Sequence, residues 1–224
     1  MEMPARRFAD VRWFGELDST NRLAADLARA GAADGVVVGA DHQTAGRGRR
    51  GRTWESRPGT SLLVSVVLRP APALVTLAAG VAAAEACEAV AGIHVGLKWP
   101  NDLLLDGAKL GGILCELVGD AAVAGLGVNL TWAPAGTAML GVGVERDVLL
   151  HAYLAALATP GDVLDRYRVR CTTLGRRVRV ELPQGPVEGV ATGVDNDGRL
   201  LVDGRPIAAG DVVHLRPRLD AEDI

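Results

Sequence analysis

From Leu74 to Val90 the chain reads LVTLAAGVAAAEACEAV, apolar almost all round and rich in alanine. A helix without a polar face must be buried, and the spacing predicts one lying against a sheet. The flanking sequence supplies strands for that sheet. GVVVGADHQ and TSLLVSVVLRP are short apolar, β-branched runs bounded by Gly and Pro, and they predict buried strands. VGLKWPNDLLL, KLGGILCELV and AVAGLGVNL follow as strand-like pieces separated by Pro-Asn-Asp, Asp-Gly and Gly-Asp turns, which implies antiparallel neighbours.

Further helices are expected around this sheet. LDSTNRLAADLARAG offers Asp18, Ser19 and Thr20 as caps before Leu23, Ala24 and Leu27 at helical spacing, and Gly31 stops the run. ERDVLLHAYLAALA and GDVLDRYRVRCTTLG predict two more, the second reaching Gly175. From Arg176 the pattern changes to short alternating strands, RVRVEL, GPVEGVATGVD, GRLLVDG, RPIAA and DVVHLRP. The fold class is therefore α+β, a mixed, largely antiparallel sheet with helices followed by a small all-β barrel. The expected division is 1–174 and 175–224.

The first residues, MEMPARRFADVRWF, lack the apolar core of a signal peptide, and no apolar run approaches the ~18 residues of a membrane span. A cytoplasmic protein is expected. Cys87, Cys115 and Cys171 show no CxxC or Cys/His spacing, so they read as small buried hydrophobes rather than as disulfides or zinc ligands.

Charge is distributed unevenly. The net charge is −3, yet QTAGRGRRGRTW (Gln43 to Trp54) sets four arginines within six residues. Basic residues on a nucleic-acid-binding surface normally spread over a face to neutralise many phosphates, whereas this cluster suits one small anion site. Glycines at 46, 48 and 51 let the backbone approach a ligand, and the arginines supply forked donors for carboxylate or phosphate oxygens. The order matches neither GxxxxGK[ST] nor GxGxxG before a helix. By itself the run is equally an RNA-binding or a solvated loop. Of 24 basic residues only Lys98 and Lys109 are lysines, and a compact ammonium suits tasks that a planar guanidinium does not.

Downstream motifs sharpen this. KWPND (98–102) combines a cation, an aromatic, an amide and a carboxylate around a Pro-fixed turn. KLGG (109–112) and GLGVN (125–129) place glycines where a flat ligand could lie against a strand. In this order and spacing, STN, QTAGRGRRGRTW, KWPND, KLGGILCE and GLGVNL resemble the catalytic domain of biotin protein ligases, the biotin–[acetyl-CoA-carboxylase] ligases. RYRVRCTTLGRRVRVEL and the β segment after it resemble that family's small SH3-like C-terminal domain.

The resemblance implies ATP-dependent activation of biotin as biotinyl-5'-AMP, then transfer to one lysine of a biotin carboxyl carrier protein, an acyl-CoA carboxylase subunit. ATP and biotin are substrates, Mg2+ is required, and no tightly bound organic cofactor is expected. Lys109 would lie between the biotin carboxylate and the α-phosphate, and Arg49 would hold the adenylate phosphate. Ser19, Thr20, Asn21 and Gln43 would bind the biotin ring, and Gly46, Arg47, Gly48 and Gly112 would enclose it. Arg52 and Trp54 would flank the nucleotide, with Lys98, Asn101, Asp102 and Asn129 beside ATP and its magnesium; Asp102 marks the metal region. Arg50 would face solvent. The loop would act as a lid, because a mixed anhydride must be kept from water.

The chain starts about 20 residues before the first motif, so the expected form is monofunctional, without an N-terminal DNA-binding domain. The segment after Asn129 is short, which leaves the adenine cover, Trp132 included, unassigned. Interaction with nucleic acid or membrane is not expected, and a monomer or weak homodimer is. The rival readings are a lipoate ligase or octanoyltransferase and a nucleic-acid-binding module.

Overall fold

A computed structural model describes residues 7–159 and 161–215. Its first unit contains β1 (Val11–Leu17), α1 (Thr20–Arg29), β2 (Val37–Gln43), β3 (Ser61–Leu68), α2 (Val75–Ala91) and β4 (Gly96–Lys98). β5 (Asp102–Leu105), β6 (Ala108–Val118), β7 (Ala121–Asn129), α3 (Arg146–Ala158) and α4 (Val163–Arg170) follow. The seven strands form one sheet in the order β1-β2-β3-β7-β6-β5-β4. Only β1 and β2 run parallel. The mixed, largely antiparallel sheet expected from sequence is therefore present.

The two faces are covered unequally, and this makes the cleft. On one face Leu62, Val64 and Val66 of β3 meet the alanine-rich α2 and the buried Leu149, Leu150 and Tyr153 of α3. On the other, ten-residue α1 packs Ala24, Ala25 and Ala28 on Val38, Val67 and Val123. So short a helix covers only part of that face, although β3 is buried along its whole length. The Arg-Gly segment covers the rest.

The second unit, β8 (Arg177–Glu181), β9 (Val187–Val194), β10 (Leu200–Val202), β11 (Arg205–Ile207) and β12 (Asp211–His214), is an antiparallel sheet ordered β11-β10-β9-β8-β12. Val178, Val180 and Leu200 belong to the same hydrophobic cluster as α2 and β3. The buried Trp99 donates its indole N–H to Gly198 O (3.0 Å), and Arg168 donates to Val194 O (2.8 Å). These bonds fix the second sheet against the first.

Three local expectations change. β1 is an additional strand; its mostly exposed edge position erases the alternation that would announce it. α4 ends at Arg170 rather than near Gly175, because Thr172 N–H donates to Leu97 O (2.8 Å) and Thr173 Oγ1 accepts from Trp99 N–H (3.1 Å), drawing the chain onto β4. Ser19 sits at the N-cap of α1 but makes no side-chain cap bond. Among the described residues no helix is long and apolar enough to cross a membrane.

Candidate active site

The part of this sheet face that α1 leaves free forms, beneath the Arg-Gly segment, the floor of a cleft of about 310 Å³. Cross-strand rows Gly112–Gly127–Leu63 and Leu114–Gly125–Ser65 lie side by side there. Three of these six positions lack a side chain, and the contacts explain why. A Cβ at Gly125 would stand 1.9 Å from Asn21 Oδ1, and one at Gly127 would stand 2.7 Å from the Trp54 ring. The indole of Trp54 therefore rests on the floor itself.

One end of the cleft is neutral and polar. Asn21 Nδ2 donates to Leu114 O and to Glu116 Oε2 (both 3.0 Å), and Ser65 Oγ donates to Asn21 Oδ1 (2.6 Å). Both amide hydrogens of Asn21 are thus engaged, and a spare lone pair of Oδ1 is what it can offer a ligand. Gln43 has the opposite polarity. Its Oε1 accepts from Thr20 N–H (2.8 Å), which leaves Nε2 as its free donor. Nε2 lies 3.2 Å from where a Cβ on Gly46 would project, so a side chain at 46 would crowd it. Acceptor and donors side by side suit a ureido group, which has two N–H groups and one carbonyl.

The other end is cationic. Arg49, Arg52, Lys98 and Lys109 line the cleft there against two carboxylates, Asp102 and Asp211. Lys109 Nζ lies 2.7 Å from Asp102 Oδ1 and keeps further N–H donors for other oxyanions. Burial pushes the Lys98 ammonium below the usual lysine range, an effect that nearby Asp102 opposes. Burial also lowers Arg49, whose guanidinium donates to Asn101 Oδ1 (2.9 Å). Excess positive charge with low-dielectric walls concentrates polyanions.

The arginine segment is a small hairpin over this end. Trp54 N–H donates to Gly46 O (3.0 Å) and Gly48 N–H to Arg52 O (2.7 Å), around a 3-10 turn at Arg49–Gly51. Its tip reaches the second sheet. Arg49 donates to Gly210 O, Arg50 donates to Glu181 O (3.0 Å) and pairs with Asp211, and Arg52 pairs with Asp211. Arg50 is exposed, and its left-handed backbone (φ 54°) carries it along the surface to β8 and β12, contacts that the sequence did not suggest.

Ser19, Thr20, Asn21, Gln43, Arg47, Gly48, Arg49, Arg52, Trp54, Lys98, Asn101, Asp102, Lys109 and Gly112 all line this one cleft. Gly46 is buried and is not among the lining residues, lying against Trp54 and Gln43. Asn129 is buried and spends its Nδ2 on Ala138 O (2.9 Å), while its Oδ1 has no partner. It stands outside the lining, across from Ser61. Trp132 lies beneath Arg57, 4.9 Å from the guanidinium carbon. The three cysteines are unpaired, and burial pushes Cys87 to about 12 and Cys115 to about 11, so neither presents a thiolate near neutral pH.

Sequence reasoning missed Ser65, Glu116, Gly210 and Asp211. Ser65 lies within TSLLVSVVLRP and Glu116 within KLGGILCE as ordinary strand residues. Gly210 and Asp211 reach the cleft only through the docking of the second sheet.

Residues 13–130 match the biotin/lipoate A/B protein ligase family, and residues 173–215 match the biotin protein ligase C terminal domain. A biotin–[acetyl-CoA-carboxylase] ligase of Mycobacterium tuberculosis is 42% identical over 88% of this chain and 86% of its own. The bifunctional ligase/repressor BirA of Bacillus subtilis is 33% identical over 84% of this chain and 67% of its own. The biotin protein ligase of Aquifex aeolicus in complex with biotin and ATP superposes with a TM-score of 0.80 at 26% identity, covering 93% of this chain and all of that one.

Proposed function

Because this chain belongs to the biotin/lipoate A/B protein ligase family, we propose that the cleft between the glycine floor and the arginine hairpin is where it activates biotin. The protein is an ATP-dependent biotin ligase. It joins biotin to AMP as biotinyl-5'-AMP, releases pyrophosphate, and passes the biotinyl group to a lysine of a biotin carboxyl carrier protein.

The observation that carries the assignment of the cleft is its polarity. A neutral amide end, Asn21 and Gln43, adjoins a cationic end, Lys98, Lys109 and Arg49, on one glycine floor. The ureido ring of biotin belongs at the first end and its carboxylate at the second. There it meets ATP, and two anions of like sign can react only if fixed cations hold them together. Lys109 is the residue to bridge them, since Asp102 orients its ammonium and leaves N–H donors for the biotin carboxylate and an α-phosphate oxygen. Arg49, held by Asn101, grips the adenylate phosphate. When the neutral amine of the carrier lysine attacks the acyl carbon, a C–N bond forms, the acyl C–O bond to the phosphate breaks, AMP departs with those electrons, the amine proton passes to solvent, and the same cations receive the charge of AMP.

Mg2+ fits as the counter-ion of ATP: Asp102 would help to hold it together with the phosphates of the substrate, and it would supply charge neutralisation on the polyphosphate. Among the described residues no three His, Cys, Asp or Glu side chains cluster to hold a metal unaided. A lone carboxylate plus substrate phosphates matches the coordination habit of this ion. The same reading divides the chain at 174/175, places the enzyme in the cytoplasm as a monomer or weak homodimer, and gives it no nucleic-acid or membrane partner.

The test is ATP–pyrophosphate exchange with and without biotin. Exchange that requires biotin and is lost in Lys109→Ala is expected. Exchange indifferent to biotin would refute the assignment.

A further inference from the structure

Glu116 follows Gly112 and Leu114 on the same face of β6, just outside the cleft lining, yet both its oxygens are committed to groups that line it. Arg47 Nη2 donates to Oε1 (2.8 Å) and Nη1 to Oε2 (3.1 Å), a bidentate pair between the hairpin and β6. Oε2 also accepts from Asn21 Nδ2 (3.0 Å). One carboxylate therefore grips the hairpin and orients the amide at the neutral end of the cleft.

Two consequences follow. The charge of Arg47 is balanced locally, so Arg47 serves as a strut of the hairpin rather than as a cation for the substrates, a role left to Arg49, Lys98 and Lys109. The orientation of Asn21 also depends on Glu116, because a carboxylate can only accept hydrogen bonds and so requires Nδ2 to face it. That leaves Oδ1 for Ser65 and a ligand N–H. From the opposite side Asp211 and Gly210 hold the hairpin tip through Arg52, Arg50 and Arg49. The hairpin is thus anchored twice, and Glu116 is the anchor on the ureido side.

We propose that Glu116 is a positioning residue for biotin. Through Arg47 it keeps the hairpin seated over the ring, and through Asn21 it keeps an acceptor facing the ureido N–H, so that hairpin closure and ring recognition depend on one side chain. This inference rests on the ligase reading.

The test compares wild type with Glu116→Gln, which preserves shape but cannot satisfy both partners. A glutamine amide with Nε2 toward Arg47 Nη2 keeps an oxygen for Asn21 but breaks the bidentate grip, and turned the other way its N–H groups face both Arg47 Nη1 and Asn21 Nδ2, which are donors too. Four quantities are read: biotin affinity by calorimetry without ATP, the rate at which preformed biotinyl-adenylate escapes, the KM for ATP, and Tm. Biotin affinity should fall about tenfold and adenylate escape should quicken by about the same factor, the scale of one charge-assisted contact. The KM for ATP and Tm should stay near wild type. The double exchange Glu116→Arg with Arg47→Glu should restore slow escape, because it rebuilds the strut, while biotin affinity stays low, because Asn21 loses its acceptor. Unchanged affinity and escape in Glu116→Gln would overturn the proposal. So would a fall in Tm with biotin affinity and ATP KM worsening together, since that is the signature of a merely structural ion pair. If wild type itself binds no biotin, the ligase reading fails instead, and the two failures are distinct.

Discussion

Adding one methyl group to the cleft floor, Gly125→Ala, isolates the role of the glycines. The new Cβ would stand 1.9 Å from Asn21 Oδ1 and 2.8 Å from Asn21 Cγ. Carbon–oxygen contacts ordinarily begin near 3.3 Å, so Asn21 must retreat by roughly 1 Å or more. Its two Nδ2 bonds are 3.0 Å long and its bond from Ser65 is 2.6 Å, and such a movement takes most of them beyond hydrogen-bonding range. Two neutral bonds at about 1 kcal/mol each and one to a carboxylate at about 2 kcal/mol give a loss of about 4 kcal/mol. Alanine in place of glycine in a strand returns about 0.5–1 kcal/mol. The net cost of about 3 kcal/mol corresponds to a Tm lowered by roughly 6–12 °C in a chain of this size. Biotin should bind about 10- to 100-fold more weakly, the cost of a ligand N–H left without its acceptor. Differential scanning calorimetry and biotin titration measure the two effects. Gly193→Ala is the control, since its Cβ would meet only Leu201 Cδ1, at 3.5 Å. Should both variants match wild type in Tm and in biotin affinity, the argument that Asn21 needs a bare floor is wrong.

Lys109→Arg keeps the charge but spreads it over a plane that cannot take the compact place beside Asp102, so adenylate formation should slow by about 10²–10³ with biotin affinity little changed; single-turnover kinetics read this, and a wild-type rate would refute the bridging role. Arg49→Gly removes the grip on the adenylate phosphate and should release biotinyl-adenylate to label bystander lysines, as seen by blotting mixed proteins for biotin; unaltered selectivity and adenylate affinity would count against it. His214 is held down to about 4 by burial first and by Lys98 and Arg176 next. A folded pKa below the unfolded 6.5 means that the unfolded chain takes the proton first, so this contribution is fully present above about 6.5 and is lost as pH falls toward 4. His214→Gln should therefore flatten the fall of Tm between pH 7 and 4.5, and parallel curves for the two proteins would exclude the effect.

How far the sequence reveals this protein depends on whether a residue acts through its neighbours in the chain or through distant ones. The alanine-rich α2, the strands β2, β3, β6 and β7, and the glycine floor carry local signals, namely the absence of a polar face, β-branching between breakers, and glycine within a strand. β1 carries none, because an exposed edge strand places no alternating face on a core. α4 reads as helical up to Gly175, yet the backbone of β4 and Trp99 captures Thr172 and Thr173 for tertiary hydrogen bonds worth more than another weak helical turn of β-branched residues. The cleft divides in the same way. Lys98 and Lys109 stand out by their rarity among arginines, and the hairpin by its charge density. Arg50 cannot be told from Arg49 or Arg52 by composition, since its direction follows from a left-handed backbone at one position. Glu116 and Asp211 read as ordinary surface carboxylates in their strands until the fold brings the hairpin between them. One then neutralises Arg47 beside the neutral end of the cleft, and the other engages Arg50 and Arg52 beside the cationic end. The count of arginines therefore overstates the field that a polyphosphate meets. The cations with the least local compensation, Arg49 and Lys98, are those whose burial lowers their pKa, and their attraction for a ligand oxyanion is correspondingly the least screened by water.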